Sequence, residues 1–257
     1  MDNGGQKKTA SVKRAGCMIC GKKLVYMKNA RTNVKCAYCG KEELTDVFCL
    51  KGHYVCDVCH KGDILDAVTE LCMKSPLKDP IALLLEIFDL KGLNMHGPEY
   101  HAIVPAVLVT AYINATGSED RTMIQKAVLR GREVKGGMCG SHGACGAGIG
   151  VGIAYSVLHG VTPYSGADRG EAMRMTAFAL LEIGKYGGPR CCKRDSALAV
   201  KTAAEHFGVP FEDSGERYIC RQFSQNKMCI VRNAGNVQNA RIARIEKCPF
   251  YPSGAEL

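Results

Sequence analysis

Between residues 17 and 59 the chain sets out cysteines and a histidine at spacings that a metal-held fold satisfies and few others do. Cys17-Met-Ile-Cys20 and Cys36-Ala-Tyr-Cys39 are two Cys-x-x-Cys turns separated by fifteen residues. Each such turn aims two sulfurs at one point, and two turns close a tetrahedron. Cys49, His53, Cys56 and Cys59 then supply four further ligands. Eight ligands imply two zinc ions. The ligand pairs can be taken sequentially or interleaved as in a RING-like cross-brace, and the count is satisfied either way. His60 is left over, as a cap or an exposed side chain. The segment has few apolar residues, so metal must supply most of its folding energy. A full tetrahedral shell leaves no open position, which suits a structural or adaptor module better than a catalytic one.

The remaining chain is long enough for a core of its own. Of 257 residues 46% are apolar, and there are 15 cysteines and no Trp. One or two domains are expected at this length. No charged-then-apolar N-terminal signal is present, and the longest apolar runs, near Ile81–Leu85 and Ala147–Leu158, are too short to span a bilayer. The reading is a cytoplasmic chain with no membrane partner, in which cysteines serve metal rather than disulfides. The formal charge of +9 overstates the basicity, because a zinc site of four thiolates removes about two charges. Nucleic-acid binding does not follow from it.

The expected organisation is a disordered tail over 1–15, a zinc-binding module over 16–61 and an all-helical domain over 62–257. In fold-class terms this is a small zinc-ribbon or treble-clef-like module followed by a mainly α-helical domain. Ile64, Leu65, Val68, Leu71 and Cys72 recur at helical spacing over 63–74, with Cys72 on the core face. Asp79-Pro80 reads as an N-cap and first helical residue, opening a helix through Leu90. Gly97-Pro98 opens another through Ala115, and Ser118 caps a third. His96, Glu99 and His101 gather titratable groups at one helix mouth. Further helices are expected over 168–185, up to Phe207, and from Cys229 to about Ile245.

The stretch from Gly136 to Tyr155 holds Cys139, His142, Cys145 and eight glycines. It reads as a loop turning into a helix, with Cys145 in the first turn. The helix dipole there favours a thiolate. Arg190 and Lys193 flank the vicinal Cys191-Cys192 and are expected to do the same. Cys220, Cys229 and Cys248 fit no zinc spacing, while Cys248-Pro249 has the form that often closes an iron–sulfur ligand set.

Residues 97–245 resemble the iron–sulfur domain of L-serine dehydratases and the related cysteine desulfidases. The likeness rests on Cys139-Gly-Ser-His-Gly with its small-residue helix and Leu-His-Gly-Val-Thr-Pro turn. It extends to Leu181-Glu-Ile-Gly184 leading to Cys191-Cys192, and to Cys229-Ile-Val-Arg-Asn-Ala. It implies a [4Fe–4S] cluster held by Cys139, one of Cys191 and Cys192, and Cys229, with Cys145 as a further ligand or neighbour. One iron then stays open as a Lewis acid or sulfide carrier. Where that family carries an Asn-Gly-Ala-Cys substrate loop, this chain reads Pro98-Glu99-Tyr100-His101. The whole chain also resembles an uncharacterised prokaryotic cysteine-rich family bearing Gly-His-Tyr-Val-Cys-Asp-x-Cys-His, here Gly52–His60.

Two functions follow as expectations. One is an iron–sulfur lyase or sulfur-transfer enzyme acting on a carboxylate- or sulfur-bearing small molecule. Its general base is His101, Glu99 or His142, and Arg190 holds a substrate carboxylate. The other is a non-enzymatic adaptor whose zinc module binds a protein or RNA partner, with the helical domain structural or redox-sensing. The oligomeric state is open, a homodimer being compatible.

Overall fold

The computed structural model describes residues 16–252 except 28–29, 39, 91, 209–210, 214, 216 and 233–247, and of residues 58 and 61–63 the backbone alone. The expected tail over 1–15 and the helix expected from Cys229 to Ile245 therefore lie outside the described residues, wholly or in their greater part.

The N-terminal region is built from tight turns and short strands. Strand β1 (Leu24–Tyr26) pairs antiparallel with β4 (Val47–Cys49), and β2 (Thr32–Lys35) pairs antiparallel with β3 (Glu42–Thr45). Two turns share one geometry. Cys17 N–H donates to Lys22 O and Gly21 N–H to Cys17 O, as Cys36 N–H does to Lys41 O and Gly40 N–H to Cys36 O. Gly21 and Gly40 stand at φ 69° and 72°, where a side chain would be strained. The paired sheets are too small to hold together by themselves.

Helix α1 (Asp57–Lys74) begins six residues before the position where the apolar period starts. It runs unbroken across the boundary expected at 61/62, so one rod joins the cysteine-rich region to the helical layer. Cys72 is fully buried on it, as its spacing predicts. Helix α2 (Pro80–Phe88) starts where expected, with Asp79 Oδ1 accepting from Ile81 N at 2.7 Å and Ala82 N at 3.3 Å.

Helix α3 (Tyr100–Thr116) is the central rod. It is apolar on every side, which suits a helix surrounded by others. Helices α1, α2, α4 (Thr122–Glu133), α6 (Gly146–Leu158) and α8 (Cys192–His206) pack around it. Helix α4 begins four residues after Ser118. Asp120, not Ser118, accepts the Thr122 N–H at its start (3.0 Å). A single turn, α5 (Met138–Ser141), carries Cys139, and α7 (Ala167–Gly184) packs on α6 and α8. The glycines of α6 let its neighbours approach closely. A Cβ at Gly152 would meet Thr176 Oγ1 and, at 2.8 Å, the backbone oxygen of Ala172. No described helix is long and apolar enough to cross a membrane.

Candidate metal and thiol sites

Two groups of ligand atoms in the N-terminal region each lie within 4.8 Å of one another. One is Cys17, Cys20, Cys49 and His53; the other is Cys36, Cys56 and Cys59. Cys17 Sγ stands 3.7 Å from His53 Nδ1, and Cys20 Sγ 3.6 Å from Cys49 Sγ. Ligands of a tetrahedral ion held at about 2.0–2.3 Å are separated by about 3.5–3.8 Å, so the first group has the dimensions of a single-ion site. In the second, Cys56 N–H donates to Cys36 Sγ at 3.3 Å, and Cys59 comes from the first turn of α1. Cys39, the expected fourth ligand, lies outside the described residues. The two groups interleave along the chain, which decides between the two orders that the spacing allowed. Cys20 is drawn down to about 6, chiefly by the Lys22 N–H, with His53 and Cys49 adding to it. A thiol so placed is largely ionised at neutral pH and ready to ligate.

A second constellation forms where this region meets the helical layer. Asp57 at the start of α1 accepts the Gly136 N–H (2.8 Å) ahead of α5. His60, one residue past Cys59, directs Nδ1 to within 3.3 Å of Glu99 Oε2. The approach is that of an ion pair without hydrogen-bond alignment. Both Glu99 oxygens lack a hydrogen-bond partner among the described residues, although the residue is fully buried. His60 is thus neither a cap nor exposed; it faces the one buried carboxylate at the mouth of α3.

Arg190, on the loop entering α8, lies beside Cys192, Tyr26 and Cys139. Burial pulls its pKa down, yet these neighbours outweigh burial and hold it above its ordinary value. Cys192 sits next to the Gly97 N–H, and burial pushes its thiol well up. Cys145 occupies the N-cap of α6, one residue outside the expected first turn, with Sγ 3.9 Å from Asp195 Oδ2. Burial and then the Asp195 carboxylate push it up to about 12. The helix end that was expected to favour a thiolate is overruled by desolvation. Cys191 follows the same rule, pushed up to about 12 by burial. Lys193 Nζ donates to Phe88 O (3.0 Å) and lies over the Phe88 ring.

His101 packs against the same helix entrance, where a Cβ at Gly146 would strike its ring. Its Nδ1 pairs with Val134 O at 3.0 Å, which makes Nδ1 the protonated nitrogen and Nε2 the basic one. His142 is exposed, with Nδ1 2.7 Å from Ser141 Oγ. Cys139, Cys192 and Tyr26 therefore gather at Arg190, and Cys145 and Asp195 lie against Cys139 and Cys192, while His60 faces Glu99 and His101 packs on Gly146. Spacing carried no signal for His60, Asp195 and Tyr26, because the partners of each lie far away in sequence.

Cys229 and Cys191 are brought together elsewhere. With Cys220 and Cys248 they line one cavity between the start of α8 and the segments 218–230 and 248–251. Cys139 is not among its lining residues. The vicinal pair thus serves two places, Cys191 one and Cys192 the other. His96, expected beside Glu99 and His101, pairs its Nε2 with Asn226 Oδ1 (3.1 Å) and feels the charges of Glu99 and Arg190.

These features define a mainly helical protein with small sheets and a cysteine-rich N-terminal region that carries two candidate metal-binding groups. The chain belongs to DUF5714, a family of unknown function whose pattern residues 68–234 match. The match takes in every cysteine from Cys72 to Cys229 and begins after the two N-terminal metal groups. No curated protein and no solved structure matches the chain.

Proposed function

We propose that this chain is an iron–sulfur enzyme of the elimination or sulfur-transfer type, its N-terminal region held by two zinc ions. The observation that carries the reading is the gathering of Cys139 and Cys192 at Arg190, with Cys145 beside Cys139, and with Cys192 and the fully buried Glu99 both acting on Tyr100. A buried carboxylate without hydrogen bonds is costly, and proteins keep such groups where chemistry needs them. Three thiols beside a guanidinium suit an anionic cluster with one iron left open. Such a cluster supplies a Lewis acid for a departing hydroxyl or thiol. The chain's own residues do the rest. Arg190 takes the substrate carboxylate in a two-pronged grip. Glu99, faced by His60, removes the proton on the neighbouring carbon, with His101 Nε2 beside it. Zinc suits the N-terminal groups because their donors are thiolates and an imidazole at tetrahedral spacing. The resemblance to serine dehydratases and cysteine desulfidases supports the same chemistry.

The test is product release (2-oxo acid, ammonia or sulfide) from serine, cysteine and related β-substituted substrates by anaerobically purified protein. The reading expects turnover that falls at least about a hundredfold in Glu99→Gln and vanishes with the iron in Cys139→Ser. Turnover unchanged in both variants overturns it.

A second reading has its own support. Tyr26, Tyr38, Leu44 and Leu50 are exposed on the N-terminal region, among exposed Lys22, Lys23, Arg31 and Lys35. These groups suit a protein or RNA partner. Salt-dependent binding of single-stranded RNA, lost on Tyr26→Ala and Tyr38→Ala, favours the RNA form of it.

A further inference from the structure

The cavity at the start of α8 is lined by Cys191, Cys220, Cys229 and Cys248, drawn from positions spread over 58 residues of chain. Its space open to a water-sized group is about 20 Å³, within about 360 Å³ of atom-free space that includes the solvent at its mouth. Nothing in the elimination chemistry needs these four thiols, and nothing about their spacing in sequence announces them. Scattered structural cysteines have no reason to face one another across a space. Four that do so form a ligand set.

The width of the set selects the occupant. Among the described residues, three or more ligand atoms lie mutually within 4.8 Å only in the two N-terminal groups. The same chain thus draws thiols to 3.6 Å where one ion is to be held and brings no three of these four mutually within 4.8 Å. A cluster whose irons occupy separate corners takes thiolates set wider than a single ion does. Cys248 is followed by Pro249, the form that commonly closes such a ligand set.

The walls are built for an anion. Arg194 is 2% exposed and lines the cavity. Its Nε and Nη2 are taken by Asp195 Oδ1 at 2.8 Å, and Nη2 also donates to Gly187 O at 2.9 Å. Its Nη1 is buried without a hydrogen-bond partner among the described residues. A buried cationic N–H left this way is costly; an anionic cluster beside it removes the cost. Donors to sulfur are in place too. Asn226 Nδ2 reaches Cys191 Sγ at 3.8 Å, and the Phe250 N–H serves Cys248. Backbone bonds such as Cys220 N–H to Phe250 O (2.7 Å) tie the two C-terminal segments together at the rim. Such second contacts orient ligands and tune a cluster's potential.

We propose that Cys191, Cys220, Cys229 and Cys248 bind a second [4Fe–4S] cluster, with all four irons thiolate-ligated. With no open iron it carries no substrate, and it is separate from the Cys139–Cys145–Cys192 site. The inference stands whether or not that site is an enzyme.

The experiment is iron, acid-labile sulfide and zinc per chain on the anaerobically reconstituted full-length protein, wild type beside two double variants. Cys220→Ser with Cys248→Ser is expected to lose about four iron and four sulfide while keeping its zinc. Cys139→Ser with Cys145→Ser is expected to keep this cluster's about four iron and four sulfide, any iron that it loses being that of the separate Cys139–Cys145–Cys192 site. If the first variant fails to fold, iodoacetamide labelling of the wild type decides. Cys191, Cys220, Cys229 and Cys248 are expected to resist alkylation until iron is stripped, and then to label together. Full iron retained in the first variant, labelling of Cys220 and Cys248 in iron-replete protein, or a further zinc in their place overturns the proposal. Iron lost from this variant alone sustains it and counts against the open-iron enzyme.

Discussion

Glu99 shows how much of this chain's chemistry is decided by single buried groups. Its carboxylate sits in the interior against His60, and taking away one partner of a buried pair is destabilising. Glu99→Gln should therefore unfold at a lower denaturant concentration than wild type and, while still folded in buffer, lose turnover, effects that chemical denaturation and kinetics read separately. His96 is held down at about 4 by burial, against the lift from its bond to Asn226. The unfolded chain binds this proton near pH 6.5. The contribution is thus full above about 6.5 and is lost as pH falls toward 4, up to about 3 kcal/mol. Denaturation at pH 7 and pH 5 should show a shallower loss for His96→Gln than for wild type. Residue-scale roles were the least legible part of the sequence. Seven of the eight expected N-terminal ligands fall into two tight groups, and they were visible because Cys-x-x-Cys turns are local. His60, Asp195 and Asn226 were not, since each acts on a partner at least 35 residues away or through a neighbour whose direction only packing sets. Thiol ionisation at Cys145 and Cys191 was misjudged because charge and dipole are readable in sequence, whereas desolvation is not.

Helices were legible where their punctuation is chemical. Asp79-Pro80 announced α2, and Asp79→Ala should cost about 1 kcal/mol, read as a shift in denaturation midpoint with unchanged slope. Ser118 misled, because Asp120 lies nearer the first free N–H and binds it. Cys56 opens α1 without a capping side chain, so the apolar period revealed only the part of that helix that meets the core. The consequence is mechanical. The helix that supplies Cys59 also supplies His60 to the buried site and Cys72 to the core. Between α6 and α7 the contact depends on an absent side chain. Gly152→Ala forces Thr176 and the Ala172 carbonyl to move and should destabilise by about 1–3 kcal/mol. The small-residue run was visible in sequence, but which glycine faces which helix was not.

At the scale of the whole molecule, two kinds of cysteine group share one chain. The tight N-terminal groups include Cys59 and so brace the start of α1, one residue before the His60 that faces Glu99. Removing the metal proposed for them with a strong chelator should abolish the proposed turnover and loosen the N-terminal strands while the α3-centred core stays helical, as far-UV circular dichroism would show. The thiols of the helical layer sit behind that brace, split between the Arg190 site and the Cys191–Cys220–Cys229–Cys248 cavity. The resemblance assigned Cys139, one of Cys191 and Cys192, and Cys229 to one centre. The fold lines one cavity with Cys191 and Cys229 and leaves Cys139 outside it, because the segments after residue 217 return to the start of α8. The most direct measurement of the account is the content of iron, acid-labile sulfide and zinc per chain, with the ultraviolet–visible spectrum, on protein purified and reconstituted without oxygen. The account predicts about two zinc together with iron and sulfide in equal amounts and a broad absorption near 400 nm, about the range expected of thiolate-bound clusters. Zinc alone, from a preparation in which a known iron–sulfur protein loads fully, would contradict it and leave a zinc-held interaction protein.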